Sequence, residues 1–344
     1  MPLTIDIELR NYRCFEDSAP ARFTLKPGFT ALIGKNNSGK STLLRFLFEF
    51  RDLFQVLQDP PSFGNAMLSN QAFGYPPTVP NPEPLFCDTN QRGISIGLRI
   101  SDPSQPQDRI PQLVEVTVER DTTNYRVRVV APDGAAVDAT RGVDVSGVDL
   151  LVGGSGIASL ELLRSVFKLL SNTLYIGAFR NAINVGSLDQ FYDMQVGEAF
   201  IKQWKQLQTG GIKSSGEATY RLTEEIRRIF EFRQLQINAS ADDKTLRLFV
   251  NERQYGLLEM GSGLSQFILV LANAAIRKPS YILIDEPELN LHSSLQTDFL
   301  ETLTAYSSEG VVFATHSLGL ARVAADSIYS VVRNGTRSEV HPFD

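Results

Sequence analysis

The stretch Gly34-Lys35-Asn36-Asn37-Ser38-Gly39-Lys40-Ser41 matches the pattern G-x-x-x-x-G-K-[ST]. Before it, Phe29 to Ile33 reads as a short strand. After it, from Lys40, Leu43, Leu47, Phe50, Phe54 and Leu57 recur at three and four residues, the period of a helix. Strand, glycine-rich loop and helix form the setting that a phosphate-binding loop requires. Its glycines let the backbone turn so that N–H groups point inward at phosphate oxygens, and the helix start adds partial positive charge. Lys40 is expected at the β- and γ-phosphates of ATP, and the Ser41 hydroxyl on Mg²⁺.

Farther along, Tyr281-Ile282-Leu283-Ile284 reads as a buried strand whose carboxyl end delivers Asp285 and Glu286. Ligands of open α/β sheets gather at that end of the strands. Asp285 is expected in the Mg²⁺ shell and Glu286 beside the attacking water, because phosphoryl transfer asks the protein mainly to position groups and neutralise charge. A second such strand, Val311 to Ala314, ends in Thr315-His316-Ser317. Taken alone, His316 reads rather as a hydrogen-bonded structural histidine than as a functional one. Met260-Gly261-Ser262-Gly263-Leu264-Ser265-Gln266 opens a helix through Ile276. It reads either as a second anion site at exposed backbone N–H groups or as a plain N-cap by Ser262.

The rest of the chain sorts by period. Residues 4–10 alternate, with Ile5, Ile7 and Leu9 opposite Asp6, Glu8 and Arg10, and residues 22–26 and 29–33 add two strands around Pro27-Gly28. Seven prolines between 60 and 92 predict a long loop with little regular structure. Alternation returns over 94–130 as an antiparallel meander; 131–156 is rich in Gly, Asp and Val and carries no clear pattern. Helical patterns cover 159–170 and 188–232, around a short strand at Leu174 to Phe179. Strands are expected over 234–250, then helix and strand alternate from 264 to 332, the pattern of a parallel sheet covered on both faces. The fold class is therefore α/β: a mostly parallel sheet flanked by helices, with an antiparallel β lobe and an inserted helical region. The expected division is a discontinuous core of 1–59 and 234–344, a Pro-rich and β-rich lobe of 60–158, and a helical insertion of 159–233.

Composition bounds the function. The chain has 344 residues, 42% hydrophobic and 21% charged, a normal globular balance. Its net charge of −6 argues against a wholly basic nucleic-acid-coating protein, though not against a local basic stripe. The basic residues Lys202, Lys205, Lys213, Arg221, Arg227, Arg228 and Arg233 share their stretch with Glu224, Glu225 and Glu231, and read as a salt-bridged helix face. No apolar run reaches membrane-spanning length, the N-terminus is no signal peptide, and Cys14 and Cys87 imply neither disulfide nor metal framework, so a cytoplasmic chain is expected.

The order P-loop, Ser/Gly segment, Asp-Glu, His resembles the ABC-type ATPases, and the wording is closest to their RecF/SMC/OLD-like branch. Leu9 to Phe15 resembles that group's opening motif, Gly34 to Thr42 its P-loop, Asp285 to His292 its Walker B and D-loop, and Phe313 to Ser317 its switch histidine. Tyr175 to Arg180 resembles a strand motif common there. The resemblance covers residues 1–50 and about 255–335. It implies two nucleotides held between two heads. Gly34 through Thr42, with Lys35, Asn36, Asn37, Ser38, Gly39, Lys40 and Ser41, would bind ATP, and Gly261, Ser262 and Gly263 would reach the nucleotide of the partner copy. Asn290 would lie in the seam loop, and His316 would sense the γ-phosphate. Adenine recognition stays open: Tyr12, Arg13 or Phe15 reads either as stacking on the base or, for the two aromatics, as part of the core. The segment 261–266 departs from the transporter signature L-S-G-G-Q, no glutamine loop is evident (Gln55 and Gln58 are helical), and no heptad rod separates the halves. OLD-like proteins often carry a nuclease after this core, and none is expected in these 344 residues. The expectation is an ATPase forming homodimers or larger assemblies and controlling a separate effector, in phage defence or toxin control. Direct DNA binding in chromosome maintenance is the alternative, and a transporter subunit or a slow nucleotide-clamped scaffold lie further off.

Overall fold

The computed structural model describes residues 2–120, 122–137, 143–146, 149–152, 155–178, 190–209 and 213–343. The chain divides into two compact units: Met1–Thr173 with Asp326–Asp344, and Leu174–Ala325.

In the first unit, β1 (Thr4–Arg10) and β2 (Ala21–Leu25) precede β3 (Gly28–Ile33), which runs into the P-loop. The apolar run beyond it is two helices, α1 (Lys40–Glu49) and α2 (Arg51–Leu57), because Phe50 leaves helical geometry between them. Residues 60–68 correct the expected loop. Pro60 and Pro61 open helix α3 (Pro60–Leu68), with the Asp59 carboxylate capping the Ser62 N–H at 3.0 Å. Proline is tolerated there because a first-turn N–H has no intrahelical acceptor to lose. A short β4 (Gln71–Ala72) follows.

The meander forms as its alternation predicts: β5 (Ile94–Ser101), β6 (Leu113–Val118) and β7 (Asn124–Val130), with β8 (Ala136–Val137) beside β7. These strands share one sheet with the N-terminal pair, in the order β2-β1-β5-β6-β7-β4. The boundary at 59/60 read from sequence therefore runs through a single sheet. One face is apolar core. Across the other, register places Arg22, Glu8, Gly97, Glu115 and Arg128 in one row. Glu8, 8% exposed, accepts from Arg22 at 2.8 Å and Arg10 at 2.7 Å, with Arg99 at 3.7 Å. β9 (Val143–Ser146), β10 (Asp149–Val152) and β11 (Ser155–Ser159) form a three-stranded antiparallel sheet leading into α4 (Leu160–Ser171), capped by Ser159. The core is aromatic: Tyr12, Phe46, Phe50, Phe54 and Phe167 meet ring to ring.

The second unit begins in β12 (Thr173–Ile176), the strand expected at 174–179; Phe179 and Arg180 lie outside the described residues. Residues 190–195 are a hairpin rather than helix, β13 (Gln190–Phe191) and β14 (Met194–Gln195). Tyr192 turns left-handed (φ 51°), and the buried Asp193 carboxylate accepts the Tyr175 N–H at 2.7 Å and pairs with Arg277 at 2.9 Å. Helices α5 (Gly197–Thr209) and α6 (Lys213–Ile229) follow. On α6 the Arg227–Glu224 pair, 2.9 Å, fits the salt-bridged face read from sequence. An antiparallel sheet of β15 (Leu235–Ala239), β16 (Leu246–Val250) and β17 (Arg253–Gly256) leads to α7 (Ser262–Arg277). Then come β18 (Tyr281–Asp285), α8 (Ser293–Thr304), β19 (Gly310–Thr315) and α9 (Leu318–Ala324), with β18 and β19 parallel.

The chain returns to the first unit in β20 (Ser327–Asn334), parallel to β3, and closes with β21 (Arg337–Pro342), a strand absent from the sequence reading. Parallel pairing of β3 with β20 and of β18 with β19, the last two strands entirely buried, is the α/β signature expected from alternating strands and helices. Among the described residues no helix is long and apolar enough to cross a membrane.

Candidate nucleotide site

In the first unit, the P-loop turns between β3 and α1. Asn37 (φ 60°) and Gly39 (φ 107°) adopt left-handed backbone. A methyl group at Gly39 would meet Cys14 Sγ at 3.0 Å, Ser338 Oγ at 3.2 Å and Phe15 Cζ at 3.3 Å, so the glycine serves both the turn and its close packing. At Gly34 a Cβ would overlap the Val331 carbonyl oxygen. Lys40, buried, donates from Nζ to the carbonyls of Gly34 and Lys35, 3.0 Å each, and Arg333 donates to Asn37 O at 3.4 Å. Lys35, Asn36 and Asn37 face solvent, Ser38 is buried, and Ser41 and Thr42 are half-buried.

No side chain caps the first turn of α1. Its leading N–H groups therefore carry no side-chain cap, the arrangement of an anion site at a helix start. These features fit a bound nucleotide's phosphates.

Arg13 lies on the other side of the same helix. Its guanidinium meets Glu49, the last residue of α1, at 2.6 Å and sits 5.6 Å from the Tyr12 ring centre. Glu49 also accepts from Tyr12 Oη at 2.5 Å, and Tyr12 Oη reaches Thr42 O at 3.4 Å. Burial pushes the Tyr12 phenol well above its ordinary range, and the Glu49 charge adds to that; Tyr12 is a neutral donor. Burial opposes the charge on Arg13, but the facing Tyr12 and Glu49 outweigh it and raise its pKa. Tyr12 and Phe15 are fully buried, so of the two roles open to them the structure gives the core role.

In the second unit, β18 and β19 end side by side. Asp285 is buried at the end of β18. Glu286 follows in left-handed backbone (φ 53°), its N–H on Ala314 O at 2.8 Å. His316 Nε2 stands 3.2 Å from Glu286 Oε1. Glu288 Oε1 accepts both the Thr315 hydroxyl, 2.6 Å, and the His316 N–H, 3.0 Å. The sequence reading missed Glu288; the only signal was its place two residues beyond Glu286.

Ser262 is exposed as the first residue of α7, and it is not the N-cap. Gly261 holds that position without a side-chain bond, which corrects the plain-cap reading. Gly263 is packed so closely that a Cβ would lie 2.8 Å from Asn290 O. Asn290 is exposed and left-handed (φ 62°). Thus Ser262, Gly263, Asn290, Glu286 and His316 belong to one connected corner.

Among the described residues no cluster of three or more His, Cys, Asp or Glu could cage a metal by itself. That suits Mg²⁺, which keeps several waters and takes one or two protein ligands beside phosphate oxygens. Ser41 and Asp285 are the residues expected from sequence to hold it.

A model described as "AAA ATPase domain" matches residues 5–69, and one described as "AAA domain, putative AbiEii toxin, Type IV TA system" matches residues 174–322. Residues 5–69 and 174–322 are thus similar to AAA-family ATPase domains. The AAA-family match in the second unit begins where that unit begins, at residue 174. The fold of these domains is similar to SMC heads. The structure of the SmcHead bound to the C-winged helix domain of ScpA aligns over 98% of this chain and 97% of that one, with TM-score 0.54 and 14% identity. The Smc head with an extended coiled coil, bound to the C-terminal domain of ScpA from Pyrococcus furiosus, aligns over 100% and 97%, with TM-score 0.52 and 13% identity. Protein ea59 of Escherichia phage lambda is 30% identical over 176 residues, 46% of this chain. The chain spans about a third (34%) of that curated relative's length.

Proposed function

We propose that this chain is an ATP-hydrolysing switch whose two nucleotide states assemble and release copies of itself. Lys40 and the P-loop N–H groups hold the phosphates, and Ser41 and Asp285 hold Mg²⁺, which neutralises charge developing on them. Glu286 polarises the attacking water. His316 reports whether a γ-phosphate is present, and Ser262, Gly263 and Asn290 meet the partner copy. The observation that carries this reading is the 3.2 Å contact between His316 and Glu286, because it joins the water-side acid to a group able to respond to nucleotide.

An effector outside this chain receives the signal in a toxin-control or phage-defence setting. Support for a protein partner comes from the SMC heads, whose structures hold ScpA domains, and support for the setting from the toxin-system wording of the second family model. Nucleic acid is the second candidate partner.

The test is light scattering on Glu286→Gln with and without ATP and Mg²⁺. Mass should about double with ATP, and Ser262→Arg should abolish the change. A mass indifferent to nucleotide in Glu286→Gln overturns the assembly switch.

A further inference from the structure

Two glutamates sit on the loop after β18, and they are not equivalent. Glu286 meets His316 through its side chain. Glu288 holds the backbone beneath that histidine. A single oxygen, Oε1, takes the hydroxyl of Thr315, which is wholly buried, and the N–H of His316. The Thr315 hydroxyl in turn accepts the Ser317 N–H at 2.9 Å, and Ser317 caps α9 through Leu320 N at 3.1 Å. The second oxygen of Glu288 is buried and accepts no hydrogen bond among the described residues.

His316 is thus gripped twice by one short loop, its ring by Glu286 and its main chain by Glu288. A carboxylate that accepts two donors makes strong, directional bonds, and truncating it leaves the buried Thr315 hydroxyl unsatisfied and frees the His316 main chain. Three consecutive residues, 315 to 317, depend on that one oxygen for their course. The ring of His316 can face Glu286 only while the main chain beneath it stays put.

We infer that Glu288 is a positioning residue for hydrolysis, acting through His316 to fix the Glu286–His316 pair rather than touching nucleotide. This rests on the ATP-hydrolysing reading above. Because a misplacement near 1 Å in a reacting constellation costs about 100-fold, Glu288→Ala should lower kcat by about 10- to 100-fold. ATP affinity should stay within about twofold, a change worth only a few tenths of a kcal/mol. Glu288→Gln keeps a carbonyl oxygen for both donors and should restore most of the rate.

The decisive arm is the His316→Ala background. A residue that acts through His316 has little left to act on there, so adding Glu288→Ala should change kcat by less than about twofold. Equal fold-losses in both backgrounds overturn the inference, as does a loss of ATP affinity that matches the loss of rate. A second readout needs no turnover. The chain has three histidines, so their ring signals separate readily by NMR. Glu288→Ala should move the His316 signal toward its position in Glu286→Gln and leave His292 and His341 in place. An unmoved His316 signal overturns the clamp. If wild type fails to hydrolyse ATP while this shift occurs, the proposed function falls and the clamp stands.

Discussion

Gly263→Ala tests the packing of the corner that holds the acid and histidine. The new methyl carbon would lie 2.8 Å from Asn290 O and 3.3 Å from Leu291 Cδ2. Carbon–oxygen contacts settle near about 3.3–3.6 Å, so the loop at Asn290 must retreat by about half an ångström. The obstacle is backbone, which cannot swing aside as a side-chain tip does. Forcing extra carbon into such a place costs about 1–3 kcal/mol. Alanine recovers about 0.5–1 kcal/mol over glycine inside a helix, so the net loss is about 1–2 kcal/mol. For a protein of this size that lowers Tm by about 1–3 °C. Gly261→Ser is the control: nothing lies within 4 Å of its Cβ, and serine suits the N-cap position that Gly261 holds. Its stability should stay within about 0.5 kcal/mol or rise. Differential scanning calorimetry on both variants decides. Equal melting temperatures would refute the reasoning. The contact also has a bearing on the assembly switch. Because Gly263 is constrained within its own unit, lost activity in Gly263 variants does not by itself report a contact to a second copy, whereas the exposed Ser262 does.

Three further predictions concern charge and strain. Glu49→Ala should cost about 3 kcal/mol in urea unfolding, the low end for breaking a buried pair, since Arg13 retains 28% side-chain exposure; a loss under half of that would show the Tyr12–Glu49–Arg13 group to be dispensable. Burial alone would raise the Glu8 pKa, but hydrogen bonds from Arg22 and Arg10 outweigh it and hold the carboxyl below its ordinary 4.5. Its stabilisation is therefore full above that value and lost as pH falls below it, and acid titration of Glu8→Gln should show a shallower loss of stability than wild type. Glu286→Gly should abolish hydrolysis with a stability change within about 0.5 kcal/mol, because relief of left-handed strain offsets the lost contact and the freer unfolded chain; a loss above about 2 kcal/mol in thermal unfolding would show that Glu286 is unstrained.

What was legible in the sequence had a period or a pattern behind it. The alternation of Ile5, Ile7 and Leu9 reappears as the buried face of β1, and the strand–loop–helix around Gly34 to Ser41 folds as read. Proline content misled at 60–68, because proline disfavours helix interiors yet suits a first turn, and the decisive residue was the capping Asp59 just ahead of it. The hairpin at 190–195 escaped notice because it hangs on Asp193, whose partners Tyr175 and Arg277 are remote in sequence. Glu288 escaped for the same reason: Thr315 is 27 residues away, and no local pattern announces that their side chains meet.

Strain separates the two glutamates further. Glu286 carries a left-handed backbone, which costs a residue with a Cβ about 1–2 kcal/mol. Such conformations persist only where surroundings over-determine them. Here the Glu286 N–H is fixed on Ala314 O, and its side chain meets a histidine whose main chain Glu288 holds. The strained residue is the acid placed beside the histidine, and the unstrained one is the brace. If catalysis needed only a carboxylate at the end of β18, the loop would have no reason to sustain the left-handed turn. The second unit holds this arrangement through contacts among its own residues, so the acid and histidine are set before any second copy arrives. Under the proposed assembly switch, what a partner copy adds would then act on a pair already formed, through the exposed Ser262 and Asn290 at the same corner.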